Sequence, residues 1–460
     1  MVNYEVPHAT TRVVEGNSNT QPTVAFLNNL DLVDDFLDHI GVSFETLCND
    51  FVGSWMFGYI NALNQVGVRS VQFVITTHVT EPTRFVHKPS DSIIYALPAP
   101  KIYLVYRRVR RWLLKAYGGN EGQPFKDIQD SNSQRRAVLT KLKDLARSFG
   151  SYLATPIGPL AEGLRREGCT AILCQEYEAP RFDACVLLGR FLGLPVFASF
   201  QGGNETLSPL EHLSRHFALQ SCTGVIIAPQ TEIYRVRTRY QLPPAKIARI
   251  FNTVDTPTWR AVDRAKARAE LDIPIEARVA VCHGRIDLHR KGLDVLLDAW
   301  DQICRDRPNI DLRLLLVGSG PDADKLRQRI EDLKLRGVMW RNEFVNDRAE
   351  ICRYLSAADV YTLASRQEGF PVAPLEAMAC ELPVVAADAP GVPDILEEGE
   401  ISGGLVVPRE DAEALASALG RVLDDISWGR ELGNRARRRI EAHFSPDVIG
   451  KQLRDFMLGA

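Results

Sequence analysis

The sequence has no apolar run approaching the roughly 20 residues that a helix needs to cross a bilayer, so no spanning segment is expected. It has no excess of either charge: Lys and Arg total 55, Asp and Glu 58, for a net charge of -3. Nucleic acid is therefore not expected as a partner, and any basic surface must be local. It has no Cys-x-x-Cys pair. The nine cysteines are odd in number, scattered from Cys48 to Cys380, and several sit inside apolar runs. That usage points to reduced, buried thiols in a cytoplasmic protein, not to a disulfide frame or a zinc site. The histidines show no His-Glu-x-x-His or other ligand spacing, so no metal is expected. Low-complexity tracts and short-period repeats are missing too. The opening MVNYEVPHATTRVVEGNSNTQP lacks the charged-then-apolar order of a secretory leader. Residues 1–20 are expected to be disordered.

What the sequence does have is alternation. In the second half, short apolar segments precede helical patterns: RVAVCHGRI then GLDVLLDAWDQICRD, DLRLLLVGSG then DADKLRQRIEDLKLRG, GVMWRNEF then RAEICRYLSAAD, VYTLAS then PLEAMACE, and finally LPVVAADA. Short strands alternating with helices make a parallel sheet covered on both faces. The first half carries the same rhythm less cleanly. TVAFLNN and VQFVITTHV read as strands around the helix GSWMFGYINALNQVG. TAILCQEYE, a helix through FDACVLLGRFLG, PVFASFQGG, GVIIAPQ and IARIFNTVD continue it. A chain of 460 residues is too long for one core. Two doubly wound α/β units are expected, meeting near NTVDTPTW (252–259), where turn residues and prolines cluster. Ligands of such sheets bind outside the carboxyl ends of strands, which makes the cleft between the units the natural site.

The stretch RQEGFPVAPLEAMA (366–379) sets Glu368 and Glu376 around an uncharged segment. VYTLAS is a strand, so Glu368 lies on the loop at its carboxyl end. Pro374 suits the first helical position, with Glu376 in the first turn. Free backbone N–H groups and the positive helix end would then face the cleft and stabilise a phosphate. Glu376 alone could equally serve the helix dipole. Glu368, a charge at a strand end beside a glycine, is poorly explained by packing. In HGRIDLHRKGLDVLLDAW (283–300), Arg285 and Lys291 lie between a strand and a helix. Two such cations suit a diphosphate, Arg gripping two oxygens and Lys acting as a point charge, although a polar loop could simply be solvated. VGSGPDA (317–323) matches Gly-x-Gly-x-x-Ala, which invites a nicotinamide-dependent oxidoreductase reading. It falls on an internal unit, however, and Asp322 and Asp324 would repel a pyrophosphate. It is read as a tight strand-to-helix turn.

The glutamate loop together with GRIDLHRKGLDVLLDA resembles the retaining glycosyltransferases of family 4, which have the GT-B fold: α/β, with two Rossmann-like doubly wound domains facing a central cleft. VGSGPDADKLR, NTVD and GVPDILEEGEISGGLVVP stand where that family has similar segments, and GSWMFGYINALNQVGV and GLPVFASFQGG match it in outline. The resemblance implies an acceptor-side domain over residues 21–251, a donor-binding domain over 252–444, and a C-terminal helix over 445–460 packing back toward the first. It implies a hexosyltransferase that moves a sugar from a nucleotide-sugar donor to a glycan, lipid-linked or small-molecule acceptor, on one face, with no metal or other cofactor. Arg285 and Lys291 would hold the diphosphate, Glu376 the ribose hydroxyls and Glu368 the hydroxyls of the donor sugar. Gly369 and Phe370 would offer backbone N–H groups, and Gly284, Pro371 and Leu375 would complete that wall. Gly53 would bring a loop close to the donor phosphate. A carboxylate accepts from paired hydroxyls, and a nucleotide sugar has two hydroxyl clusters around a diphosphate, which matches the order of the charges. Many relatives carry a histidine where this chain has Gln201, an amide that donates to a sugar hydroxyl but does not titrate near pH 7. Glu176, Tyr177 and Glu178, at another strand end, are candidates for the acceptor side, against the plainer reading of surface charge. An inactive nucleotide-sugar-binding partner subunit stays open as the alternative, with the oxidoreductase behind it.

One segment stands outside this scheme. KIYLVYRRVRRWLLKAY (Lys101–Tyr117), wound as a helix from Val105, puts Val105, Val109, Trp112, Leu113 and Ala116 on one face. Arg107, Arg108, Arg110, Arg111 and Lys115 fall on the other. That is the pattern of a helix lying in an anionic membrane surface, which would hold the protein peripherally at the inner membrane. The alternative is a core strand IYLVY followed by a surface helix with solvated arginines.

Overall fold

The computed structural model describes residues 21–116, 150–202 and 209–459; the expectation about residues 1–20 lies outside them. Two sheets carry the chain. The first contains β1 (Thr23–Leu27), β2 (Arg69–Thr76), β3 (Thr83–His87), β4 (Ser92–Pro98), β5 (Ala171–Cys174), β6 (Val196–Ser199), β7 (Gly224–Ile226) and β8 (Ile247–Ala248), in the order β3-β4-β2-β1-β5-β6-β7-β8. Among the described residues β3 alone runs antiparallel to its neighbour. The second contains β9 (Arg278–His283), β10 (Leu312–Val317), β11 (Val338–Arg341), β12 (Val360–Leu363), β13 (Val384–Ala387) and β14 (Gly404–Val407), in the order β11-β10-β9-β12-β13-β14, with parallel pairing throughout. Counted from β9 this is the doubly wound order in which the winding reverses between the first and fourth strands.

Helices cover both faces of each sheet, which is why the strands read as unbroken apolar runs: every residue of β1, β12 and β13 is buried. The helix Leu293–Asp306 shows how the cover is made. Leu293, Leu296, Leu297, Trp300 and Ile303 recur at helical spacing and are buried, and Trp300 donates from Nε1 to Arg336 O at 2.9 Å.

The helix Ile426–His443 ends at Phe444, and the chain then returns to the first sheet. The helix Pro446–Leu458 lays Ile449, Leu453 and Met457 into the same core as Val24, Phe26 and Ile60. Gly450 lets two backbones touch there, since a Cβ on it would lie 2.1 Å from Ala62 O. The two passages between the sheets are tied together. Val254 N and Thr253 Oγ1 both donate to Phe444 O, at 2.9 and 3.0 Å. Phe251 stacks on Phe370 and Phe444 beside that seam.

Two local features depart from the sequence reading. The β3–β4 hairpin belongs to no strand–helix alternation, and Asp91 turns it at φ 45. IYLVY is helical, not a strand: a helix runs unbroken over Lys101–Ala116, with Leu104 N already bonded to Pro100 O at 3.0 Å. Pro100 stands immediately before that helix and favours its start. All nine cysteines are free thiols. No helix among the described residues is long and apolar enough to cross a membrane.

Candidate active site

The winding reversal leaves a crevice at the carboxyl ends of β9 and β12, and both charged loops open from it. Lys291 Nζ donates to Glu368 Oε1 at 2.7 Å, and Ser365 Oγ donates to the same oxygen at 2.6 Å. Beside them, His283 Nε2 lies 2.9 Å from Glu376 Oε2. The two carboxylate side chains are 8% and 12% exposed, held at the crevice wall, whereas the Arg285 side chain is 45% exposed. Its guanidinium stands 3.7 Å from Asp287, an ion pair too long for a hydrogen bond.

Close backbone approaches set these loops. Gly292, at φ 59, begins the helix Leu293–Asp306, and a Cβ there would sit 2.0 Å from Ala364 O at the end of β12. Gly318 and Gly320 do the same one strand over, where added Cβ atoms would lie 2.0 Å from Gly284 O and 2.2 Å from Ile286 O. Asp322 Oδ2 accepts from Leu288 N at 3.0 Å, and the Lys325 hydrogen bond to Oδ1 holds its carboxyl below the usual range. The Gly-Ser-Gly turn therefore buttresses the Arg285 loop. Arg366 joins the two charged loops directly. It donates to both oxygens of Asp294 at 2.7 and 2.8 Å and to His289 O at 2.9 Å. Burial pushes the Asp294 carboxyl up, but the bonds and charge of Arg366 outweigh it and leave the pKa below the carboxylate range. Below the pair, burial pushes the Cys282 thiol up to about 12, so it offers no thiolate nucleophile near pH 7.

The first sheet reaches this crevice through Gln201 and Gly202. A Cβ on Gly369 would lie 2.2 Å from Gly202 Cα and 2.7 Å from Gln201 O, so the two loops meet backbone to backbone. Gln201 N donates to Glu176 Oε2 at 3.0 Å, and its amide Nε2 to Ser199 Oγ at 3.1 Å. On the far side Gly391, at φ 85, closes on the backbone of Gly369 and Phe370.

Lys291 and Glu368 are thus bonded, Gly369 meets Gln201, Glu376 pairs with His283 beside them, and Gly284 and Arg285 stand on the loop that carries Lys291. The remaining candidates stand differently. Phe370 and Leu375 are 5% and 0% exposed and Pro371 is buried, so their side chains pack in the core and only their backbone borders the crevice. The short helix begins at Ala373, which makes Pro374 its second residue. Gly53 caps the helix Ser54–Gln65 and lines a small cavity with Asn61, Thr253 and Arg348. The acceptor-side trio needs correction. Glu176, Tyr177 and Glu178 are not surface groups: they are 4%, 0% and 2% exposed. Tyr177 OH bonds Glu232 and receives Arg235 at 2.6 Å, and Arg235 also grips Glu178 at 2.5 Å. Glu176 accepts from Glu178 N at 3.0 Å as well as from Gln201 N. They brace the Gln201 loop from behind.

Sequence reasoning passed over His283, Ser365 and Arg366. The signal that exposed Glu368, a polar side chain at the carboxyl end of a buried strand, was present for His283 as well. Arg366 gave no signal, because its partner Asp294 lies 72 positions away. Among the described residues no group of His, Cys, Asp and Glu could hold a metal ion.

Two parallel α/β domains with a cation–carboxylate crevice between them define the GT-B architecture. The Anabaena protein HepE, solved in complex with UDP, shares it at a TM-score of 0.64 and 16% identity, over 95% of this chain and all of that one (100%). Residues 277–425 match the family described as glycosyl transferases group 1, and the chain belongs to that family. It is 35% identical over 217 residues to the D-inositol 3-phosphate glycosyltransferase of Kineococcus radiotolerans, covering 44% of this chain and 49% of that one. It is 30% identical over 271 residues to the alpha-maltose-1-phosphate synthase of Mycobacterium tuberculosis, covering 55% and 67%. The chain spans about half the length of the first curated relatives it matches.

Proposed function

We propose that the chain is a retaining glycosyltransferase of family 4 that moves a sugar from a nucleotide-diphosphate sugar to an acceptor hydroxyl without a metal. The observation that carries this reading is the Lys291–Glu368 pair set beside Glu376 at the winding reversal, in a member of the group 1 family. Arg285 and Lys291 take the diphosphate, and Glu376, oriented by His283, takes the ribose hydroxyls. Glu368 keeps Lys291 and Ser365 on one oxygen and accepts from the donor sugar. Gln201 supplies an amide donor from the facing domain. The bond from the anomeric carbon to the diphosphate oxygen breaks while the acceptor oxygen bonds the same face. The acceptor's proton passes to the departing phosphate oxygen. Arg285 and Lys291 neutralise the charge that develops there, the task that a metal would otherwise serve. The acceptor is a glycan, a lipid-linked sugar or a small molecule. The unpaired thiols fit a cytoplasmic enzyme.

The test is a panel of nucleotide sugars, read by released nucleotide with and without chelator. One donor is expected to be consumed in both conditions. Glu368→Ala is expected to lower turnover by orders of magnitude, and Glu376→Ala mainly to weaken donor binding. Wild-type turnover in Glu368→Ala, or a strict need for a divalent metal, sinks the assignment.

A further inference from the structure

The helix Lys101–Ala116 presents a different kind of surface. Its inward side is anchored: Tyr103 is 4% exposed and donates to Asp31 Oδ2 at 2.9 Å, and Arg107 is held by Asp35 at 2.5 Å. Its outward side carries Ile102, Val105, Val109 and Trp112, exposed at 61, 58, 50 and 67%. At 3.6 residues per turn these four fall within an arc of about 80°, where a surface helix is ordinarily polar. Ile102 is an addition to the stripe expected from sequence, and the side chains of Leu113 and Ala116 lie outside the described residues. Lys101 and Arg108 are exposed on one shoulder and Arg110 farther round on the other side, and no acidic residue occurs from Lys101 to Ala116.

We propose that this face docks on an anionic lipid bilayer. Ile102, Val105, Val109 and Trp112 enter the boundary between headgroups and acyl chains, and Lys101, Arg108 and Arg110 meet lipid phosphates. Charge complementarity selects this occupant. A protein interface has a polar rim and is depleted in lysine, whereas here the apolar stripe has flanks of one sign and a tryptophan suited to the membrane boundary. The inference goes beyond the transfer reading and stands without it, because its readout is binding and not turnover.

The experiment uses the full chain with vesicles of phosphatidylcholine alone or mixed with phosphatidylglycerol, sedimented at low and high salt. Binding is expected to the anionic vesicles at low salt, to fall with added salt, and to be weak on phosphatidylcholine. Each basic side chain near such a surface is worth about fivefold in partitioning, so Arg108→Glu with Arg110→Glu is expected to lower it at least about 25-fold. The triple variant Val105→Ser, Val109→Ser, Trp112→Ser is expected to lose vesicle-bound protein, and the emission of wild type minus Trp112→Phe to shift blue on binding. All these positions are exposed, so melting curves matching wild type are expected to confirm folding. Wild-type protein that stays in the supernatant at low salt overturns the proposal. So does equal binding by both variants. Concentration-dependent self-association that the triple variant abolishes, without vesicle binding, assigns the face to a second copy and overturns it as well.

Discussion

A methyl group at Gly369 is the smallest change that tests whether the two loops must meet across the crevice. Its carbon would lie 2.2 Å from Gly202 Cα, 2.6 Å from Gly202 N and 2.7 Å from Gln201 O. Carbon atoms rest at about 3.5–4.0 Å, so the loops would have to part by at least about 1.3 Å. Every one of those neighbours is backbone, and no side chain can turn aside. A misplacement of about 1 Å at reacting groups costs on the order of 100-fold in rate. Gly369→Ala is therefore expected to lower kcat/KM about 100-fold in the nucleotide-release assay. Gly202→Ala should follow it, since its Cβ would lie 2.6 Å from Gly369 Cα and its φ of 103 strains any side chain. Calorimetric affinity for the nucleoside diphosphate should change little in Gly369→Ala, because Arg285, Lys291 and Glu376 all belong to the loops and helix of the second domain. Gly158→Ala, with nothing within 4 Å of the added carbon, is the matched control. Wild-type kcat/KM in a folded Gly369→Ala protein would refute the idea that this contact matters to turnover.

Arg366→Ala removes the fork to Asp294, and after allowance for partial exposure it is expected to cost about 1–2 kcal/mol in urea melts at neutral pH. The folded pKa of Asp294 is depressed, so the stability it contributes is present above the unfolded carboxylate range and is lost as pH falls through the folded value. The gap between wild type and Arg366→Ala should accordingly narrow in acid; a gap that widens there contradicts the assignment. His283→Ala loosens Glu376 and is expected to weaken diphosphate-nucleoside binding about tenfold by calorimetry, with a smaller effect on kcat; a fall in kcat at unchanged affinity would argue for a role at the sugar instead. Gly450→Leu forces the helix Pro446–Leu458 off Ala62 O and is expected to cost at least about 2 kcal/mol in chemical denaturation; an unchanged midpoint would mean that the crossing is slack.

The architecture was legible wherever burial wrote a period into the chain. RVAVCH, DLRLLLV, VYTL and PVVAA are strands because helices press on both faces, and Gly284 and Gly318 after the first two mark turns whose backbones touch. Glu368, Arg285 and Lys291 were readable as charges at strand ends, where packing gives no reason for them. What sequence could not supply was orientation. Tyr177 and Glu178 are polar and stand at a strand end, yet they face inward, because Arg235 and Glu232 arrive from a helix more than fifty positions later. Arg366 and Asp294 look like solvated charges until the fold sets them face to face. The β3–β4 hairpin escaped because a short antiparallel edge carries only a 3-10 turn, Lys88–Ser90, between its strands.

The helix Pro446–Leu458 gives the order of synthesis a physical meaning. Val24 and Phe26 leave the ribosome long before Ile449, Leu453 and Met457, with which they share a core. The first sheet can pair its strands as they emerge and cover one side of Ser54–Gln65, but the part of that helix that meets Pro446–Leu458 stays bare until the latter is made. A nascent chain therefore carries that sticky surface through the translation of the whole second domain. Chaperones that hold apolar surface are then expected to bind the growing chain at its earlier half.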